Sequence, residues 1–310
     1  MKLSYLAENL GFSIAGDKNF EINNIAYADE AAENDLAVAF SDKDILTTKA
    51  KVVLTEPRIT FSDKIFLYCI YGGIISALSE AANFFVDTGI RKNYNLTPQF
   101  EQRSNGVMCG NNFEIGEHTI IEPFVTIGDD VKIGNNCLIE SNVSIGSGTV
   151  IEKNCIIHSG ARIGAKSFLH YDEDGKAKCF FGIGQAILKD GVQIGYNSII
   201  QRGTLSNTVI GERTLIGNLV VIAHDVKIGS DSHIVCQSGI ASNAKIGSHV
   251  KILAQSGVID NVKIDDFATL MSKSVATKNI KRGKVISGLY GKEHQEELRT
   301  QALLRKLKRE

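Results

Sequence analysis

From Val107 onward the apolar positions of this chain recur every six residues. In the hexads FEIGEH, TIIEPF, VTIGDD, VKIGNN, CLIESN, VSIGSG, TVIEKN, CIIHSG, ARIGAK and SFLHYD, an aliphatic residue holds the third place from Ile115 to Leu169. After an interruption the count resumes at Val192 and Ile194. It then runs through Ile200, Ile210, Ile216, Ile222, Ile228, Ile234, Ile240, Ile246, Ile252, Val258, Ile264 and Leu270. Scattered Ile-Gly pairs of a β-sandwich would not hold so many hexads in register, and a sustained six-residue period marks a parallel β-helix. Each hexad supplies a short strand and a turn, so three hexads close an 18-residue triangular coil. The third-place side chain points to the axis and stacks on its equivalent one coil later, at the interstrand spacing of ~4.8 Å. β-Branched residues suit that pleated, buried surface. The glycine that follows many of them (Gly116, Gly128, Gly134, Gly146, Gly164, Gly195, Gly211, Gly229, Gly247) suits a corner needing positive φ or close backbone approach. Val125, Val131, Val143, Val226, Val250 and Val262 stand at other places and are expected to face outward. A closed symmetric assembly would cover them, which predicts a homotrimer with roughly parallel prism axes.

The register breaks twice. Tyr171–Gly191 forms an excursion with Asp-Gly turn chemistry, and Thr204–Asn207 inserts four residues between hexads. A solenoid needs neither, and such insertions map to surface loops, often on the binding face. Residues 1–100 lack the hexad and read as a small α+β domain. Its elements are a helix over Leu3–Leu10, strands at Val52–Leu54 and Ile65–Leu67, and a helix near Ile74–Phe85. Residues 101–280 are the solenoid, and 281–310 a C-terminal helical extension. In Lys292–Glu310, Leu298, Leu303, Leu304 and Leu307 make a loose apolar face, with Arg299, Arg305, Lys306, Lys308 and Arg309 on the rest. This is either a helix that caps or bundles the solenoid or a basic docking surface for an acidic partner.

Composition narrows the functional classes. The chain has 310 residues, with 34 basic against 35 acidic, and the repeat carries no basic stripe, so a nucleic-acid partner is not expected. No 18-residue apolar run is present, and the N-terminus reads as an amphipathic helix rather than a signal, so membrane contact is expected to be peripheral at most. Six cysteines (Cys69, Cys109, Cys137, Cys155, Cys179, Cys236) show no zinc spacing. Cys137 and Cys155, 18 residues apart, should be neighbours on adjacent coils, and free thiols in the cytoplasm are the expected state. Catalytic zinc needs three converging ligands, and His224, His233 and His249 are not separated by multiples of 18, so no metal is expected.

The segment Ile194–Gly247 resembles the UDP-3-O-acylglucosamine N-acyltransferase family of lipid A biosynthesis. The likeness rests on R-G-x-L-x-x-T-V-I-G (Arg202–Gly211, with its four-residue insertion), N-x-V-x-I-A-H (Asn218–His224) and Q-x-G-I-A (Gln237–Ala241). The N-terminal stretch is similar to that family's uridine-binding domain through L-A-E-x-L-G (Leu6–Gly11), Gly16-Asp17 and T-x-A-x-V-V-L (Thr48–Leu54). The resemblance implies a left-handed β-helix and transfer of an acyl chain from acyl carrier protein to the 2-amine of a UDP-linked glucosamine. No cofactor would be bound, the acyl carrier protein or CoA thioester being a co-substrate. The family's general base falls on His224, and a neutral imidazole suits removal of a proton from an attacking amine near neutral pH. The resemblance also places Asn218, Arg202 and Asp225 as substrate-binding candidates.

Departures from the family pattern bear on the substrate. The family's second histidine becomes Asn261, 37 residues after His224, which can hydrogen-bond but cannot carry a proton. A D-R-G motif becomes Gln201-Arg202-Gly203, and a D-G-F-G-like stretch becomes Ser167–Tyr171. The N-P-K-Y segment is shortened around Phe40-Ser41, leaving Phe40 as the local aromatic for a base, or else as a core residue. Two other readings stay open. One is a CoA-dependent N-acyl- or acetyltransferase on another nucleotide-linked amino sugar, which the His224-Asp225 pair also fits. Such enzymes usually carry a Rossmann-like domain, and no G-x-G-x-x-G follows a strand here. The other is a zinc enzyme or a non-catalytic binding scaffold on the same repeat.

Overall fold

The computed structural model describes residues 1–56, 63–69, 73–288 and 293–307. Its main body is a three-sided stack of short strands in sheets of ten, eight and nine, parallel except for Glu101–Gln102 at the edge of the first. Strands pair with those one coil, 18 residues, further on: Thr126 with Ser144 and Ile127 with Ile145, then Ser144 with Arg162 and Ile145 with Ile163. Third-place residues such as Ile127, Ile139, Ile157, Ile200, Ile222 and Ile252 are fully buried. One more rung than the hexad count gives, Val285–Ile286, pairs with Thr269–Leu270.

The valines expected to face outward do not. Val125, Val131, Val143, Val226, Val250 and Val262 are 0–5% exposed within the single chain. They occupy the first place of the hexad, and in extended backbone the first and third side chains share a face while the second points away. Each hexad therefore feeds two side chains into the core, and the argument from these valines to a trimer falls. At most polar first places the side chain is small and its hydroxyl donates to a backbone carbonyl nearby, Ser274 being an exception among the described residues. Ser198 Oγ lies 2.7 Å from Gly217 O, and Thr214 Oγ1 2.7 Å from Gly229 O. Cys137 and Cys155 are first-place residues too, buried and unbridged.

The corners divide the two demands made of glycine. Positive φ falls on the sixth place, where Asn112, Asp130, Asn136, Asn142, Asn154, Asn243 and Asn261 have φ of 54–61°. Asn and Asp tolerate that region better than other side chains. The fourth-place glycines, apart from Gly164, have ordinary φ but no room. A Cβ on Gly134 would sit 2.7 Å from Lys153 N, and one on Gly128 2.5 Å from Ser147 N. They are required by the approach of the next coil.

The N-terminal unit is a five-stranded sheet in the order β1-β5-β4-β3-β2. Its strands are β1 (Ser13–Ala15), β2 (Asn24–Tyr27), β3 (Asp35–Val38), β4 (Val52–Thr55) and β5 (Ile65–Tyr68), all parallel except β1. Helices α1 (Leu3–Leu10) and α3 (Gly73–Asp87) supply Leu3, Leu6, Leu78 and Phe85 to one of its cores, and α2 (Asp42–Thr47) supplies Ile45 to the other. Both register breaks are spent on seating this unit. The excursion folds into an antiparallel hairpin, Leu169–Glu173 with Lys176–Phe180. Phe180 and Ile183, with Leu205 from the four-residue insertion, then complete the core of α1 and α3. Arg91, just after α3, donates to Leu205 O at 2.8 Å. At the other end, α4 (His294–Leu307) leaves Leu298, Leu303 and Leu304 exposed, along with Arg299. The side chains of Arg305, Lys306 and Leu307, and residues 308–310, lie outside the described residues. Among the described residues no helix is long and apolar enough to cross a membrane.

The spacing argument makes a prediction about stability. Gly134→Ala forces a methyl against backbone and should cost ~1–3 kcal/mol. Gly239→Ala, whose added Cβ would meet nothing within 4 Å, should stay within ~0.5 kcal/mol of the parent. Urea-unfolding midpoints measure both, and equal shifts would contradict the close-approach account.

Candidate active site

His224 occupies the fifth place of VVIAHD, at the corner that ends strand Val221–Ile222. Asp225 follows in the left-handed sixth place, with φ 60°. That conformation turns its carboxylate back beside the imidazole, with Oδ2 2.8 Å from His224 Nδ1. The insertion wraps the same carboxylate: the backbone N–H groups of Thr204 and Ser206 each donate to Oδ1 at 3.0 Å, and the Thr204 hydroxyl donates to Oδ2. From the N-terminal sheet, Tyr27 at the end of β2 brings its hydroxyl 2.5 Å from Thr204 Oγ1 and 3.4 Å from Asp225 Oδ2. Burial first, and then the charge of Asp225, push the Tyr27 phenol well above its ordinary pKa, so it serves as a neutral donor.

A corner position predicts an imidazole that buries little area. Instead His224 and Asp225 are each 3% exposed, because the insertion and β2 close over them. With Nδ1–H donated to the carboxylate, Nε2 keeps its lone pair. Nε2 faces Ser242 Oγ at 2.9 Å, and Ser242 is the fifth-place residue one coil further on. The arrangement can accept a proton at Nε2 and stabilise the resulting imidazolium through Asp225. Among the described residues no three His, Cys, Asp or Glu side chains come together as a metal site.

The other sequence candidates divide. Phe40 is half exposed rather than a core residue, and its ring lies 6.3 Å from that of Tyr27. It edges a recess of about 120 Å³ shared with Ser41, Asp42 and Thr55. Phe40 is thus linked to His224 through Tyr27 and Asp225. Asn218 is exposed on a different corner, accepting from Tyr196 N at 3.0 Å, and is not brought to His224. Asn261 is exposed on the His224 corner two coils further on, about 10 Å along the stack. Arg202 holds the fifth place one coil before His224 but is buried and turns away, its Nε donating to Gly184 O at 2.8 Å. Tyr27, Thr204 and Ser242 were missed from sequence. Ser242 was legible as the residue 18 after His224; Tyr27 carries no local signal at all.

The family profile "Bacterial transferase hexapeptide (six repeats)" matches residues 112–143, 137–170 and 207–242. Those residues carry the hexapeptide repeat. Over 59 residues, 19% of this chain and 17% of the relative, the chain is 54% identical to the UDP-3-O-acylglucosamine N-acyltransferase of Rhizobium meliloti. It is 55% identical over 58 residues, 19% of this chain and 16% of the relative, to that of Azorhizobium caulinodans. The match therefore spans less than a fifth of the length of these curated relatives. Among solved structures, it is similar to the UDP-N-acetylglucosamine O-acyltransferase of Moraxella catarrhalis, with a TM-score of 0.54 and 28% identity over 63% of this chain and 76% of that one. The UDP-N-acetylglucosamine acyltransferase of Bacteroides fragilis gives 0.54 and 25% over 64% and 78%. The stacked coils are those of the left-handed parallel β-helix that the resemblance implied.

Proposed function

We propose that this protein is a cytoplasmic sugar-nucleotide N-acyltransferase that moves an acyl chain from acyl carrier protein to the amine of a UDP-linked 3-O-acylglucosamine. The observation that carries the reading is the buried His224–Asp225 pair, with Nε2 unencumbered by any carboxylate, on the A-H motif of the segment that resembles such enzymes. In the reaction, the amine nitrogen attacks the thioester carbonyl as Nε2 takes its proton. The tetrahedral intermediate then expels the thiolate, which recovers the proton from the imidazolium, so that a C–N bond replaces a C–S bond. Asp225 holds the base in the productive tautomer and stabilises its charged form. Phe40 offers a face for the base of the nucleotide, and Asn261 a polar contact that carries no proton.

The sheet face leading into the His224 corner supports an acyl groove. Val221, Gly239, Gly257 and Val275 follow one another in register along its outer side, with Ile259 beside them. Val221, Ile259 and Val275 are exposed. Gly239 has open space above it and a Cβ on Gly257 would meet only the Val275 methyls, at 3.7 and 3.8 Å, so the two leave a flat apolar track, which a homotrimer would roof. The basic face of the C-terminal helix, Arg299 among it, suits an acidic carrier protein and would act chiefly on encounter rate.

Turnover with acyl-carrier-protein and acyl-CoA donors, each crossed with UDP- and dTDP-linked amino sugars, tests the reading. Efficient transfer from acyl carrier protein to a UDP-linked amine is expected. Equal turnover from acyl-CoA onto another nucleotide sugar would replace it with the CoA-dependent alternative. His224→Gln, which keeps a hydrogen-bonding side chain in the buried position, should lower kcat by ~10²–10⁴-fold. Asn261→Ala should cost up to about tenfold, the worth of one neutral hydrogen bond. Near-full activity in His224→Gln would remove the general base from the scheme.

The assembly is tested separately by sedimentation equilibrium at micromolar concentration. The mass of three chains is expected, and the mass of one would refute the roofed groove.

A further inference from the structure

Arg202 poses a question that the transfer chemistry does not answer. It is 1% exposed, and its side chain runs back along the corner toward Ser147, two coils nearer the N-terminus. Its Nε is satisfied by Gly184 O, the contact of Nη1 with Ser147 O is a long 3.5 Å, and the Tyr94 ring lies 5.3 Å from the guanidinium. Its Nη2 is buried with no hydrogen-bond partner among the described residues. Burial holds this guanidinium down to about 10. An unmatched N–H on a buried cation is costly and calls for a partner that the chain itself does not supply.

Arg202 lines a cavity of about 460 Å³ bridged by Leu96–Phe100. Two more cations, Arg162 and Lys166, stand in its wall, which contains no Asp or Glu. Neither has a carboxylate partner among the described residues. Arg162 donates to the carbonyls of Asn142 and Gly160, and the Lys166 ammonium sits 5.1 Å from the centre of the Phe181 ring. Several other surface cations of the repeat are paired with carboxylates, as Lys132 with Glu114 and Arg213 with Asp231. The sheet is also broken at this spot. Pairing with the next coil skips Gly164, between Ile163 and Ala165, and Gly164 has φ 72°. Bulges of this kind cluster beside binding sites, where they re-aim neighbouring side chains. Leu96, Pro98, Phe100 and Ala165 give the wall an apolar part, beside the neutral polar side chains of Thr97, Gln99, Ser144 and Ser147.

We propose that this cavity binds an oxyanion carried on a short aliphatic stem, with Arg202 and Lys166 facing the charge and Leu96, Pro98 and Ala165 facing the stem. Guanidinium geometry suits carboxylate and phosphate alike, and the burial of Arg202 strengthens the contact. The cavity reaches from Arg202, one coil from His224, to the Ser147 level, three coils and on the order of 14 Å away, and His224 is not among its lining residues. It stands whether or not the transfer reaction proposed above is correct.

Isothermal titration of the full chain with octyl phosphate, octanoate and octanol tests it. At least one of the two anions should bind, and octanol should bind at least tenfold more weakly. Preference for octyl phosphate would point to a phosphorylated stem, and preference for octanoate to a fatty carboxylate. Lys166→Ala, at the exposed rim, and Arg202→Met should each weaken anion binding roughly tenfold or more, whereas His224→Gln should leave it unchanged. Lys166→Ala keeps the test alive should Arg202→Met fail to fold. Absence of binding by both anions, octanol binding as tightly as they do, or indifference to Lys166→Ala would overturn the proposal.

Discussion

Coils stacked at one interstrand spacing govern this molecule. With backbone directly over backbone, the fourth place has no room for a Cβ wherever the turn brings the next coil closest, and the sixth must enter the left-handed region. The first and third places meet in the axis and are filled mostly by aliphatic side chains, by cysteine, or by small side chains with an internally bonded hydroxyl. That leaves the second and fifth places free. Because residues 18 apart are neighbours, chemistry can be built as a column on a corner without disturbing the core. Ser147, Arg202, His224 and Ser242 form such a column, and its members differ while the aliphatic stack beneath them hardly changes.

The solenoid alone would leave His224 at the surface. It is buried because three parts of the chain converge on one carboxylate. Asp225 accepts from His224 and from the insertion's backbone, and it draws the Tyr27 hydroxyl out of the N-terminal sheet. A buried carboxylate calls for hydrogen-bond donors, and each of these contacts supplies one. The group that sets the imidazole tautomer therefore also clamps the insertion and anchors the N-terminal unit. Through Tyr27 the half-exposed Phe40 is tied to the same point, which joins the recess beside it to the candidate base.

The period of six is a property of the local chain, so the coils, the third-place core and the α1 helix are all legible in sequence. Orientation within the hexad is less so. Val125 and its equivalents look like spare aliphatics until the two-residue strand shows that first and third places share a face. The two register breaks announce themselves as loops, but their purpose depends on a partner surface 100 or more residues away, as in Leu205 against α3. Asn218 and His224 belong to one sequence motif yet sit on different corners, since six residues carry the chain along a whole side of the prism. Tyr27 reaches Asp225 across a separation of 198 residues, which no local pattern encodes.

The central claim is that Asp225 fixes His224 with its proton on Nδ1 and a lone pair on Nε2, facing Ser242 Oγ. Nitrogen-15 NMR of the histidine-labelled full chain at neutral pH tests this directly, with His224→Gln used to assign the resonance. The account predicts that in the neutral ring Nδ1 is protonated and Nε2 is not. A ring protonated on Nε2 instead would contradict it.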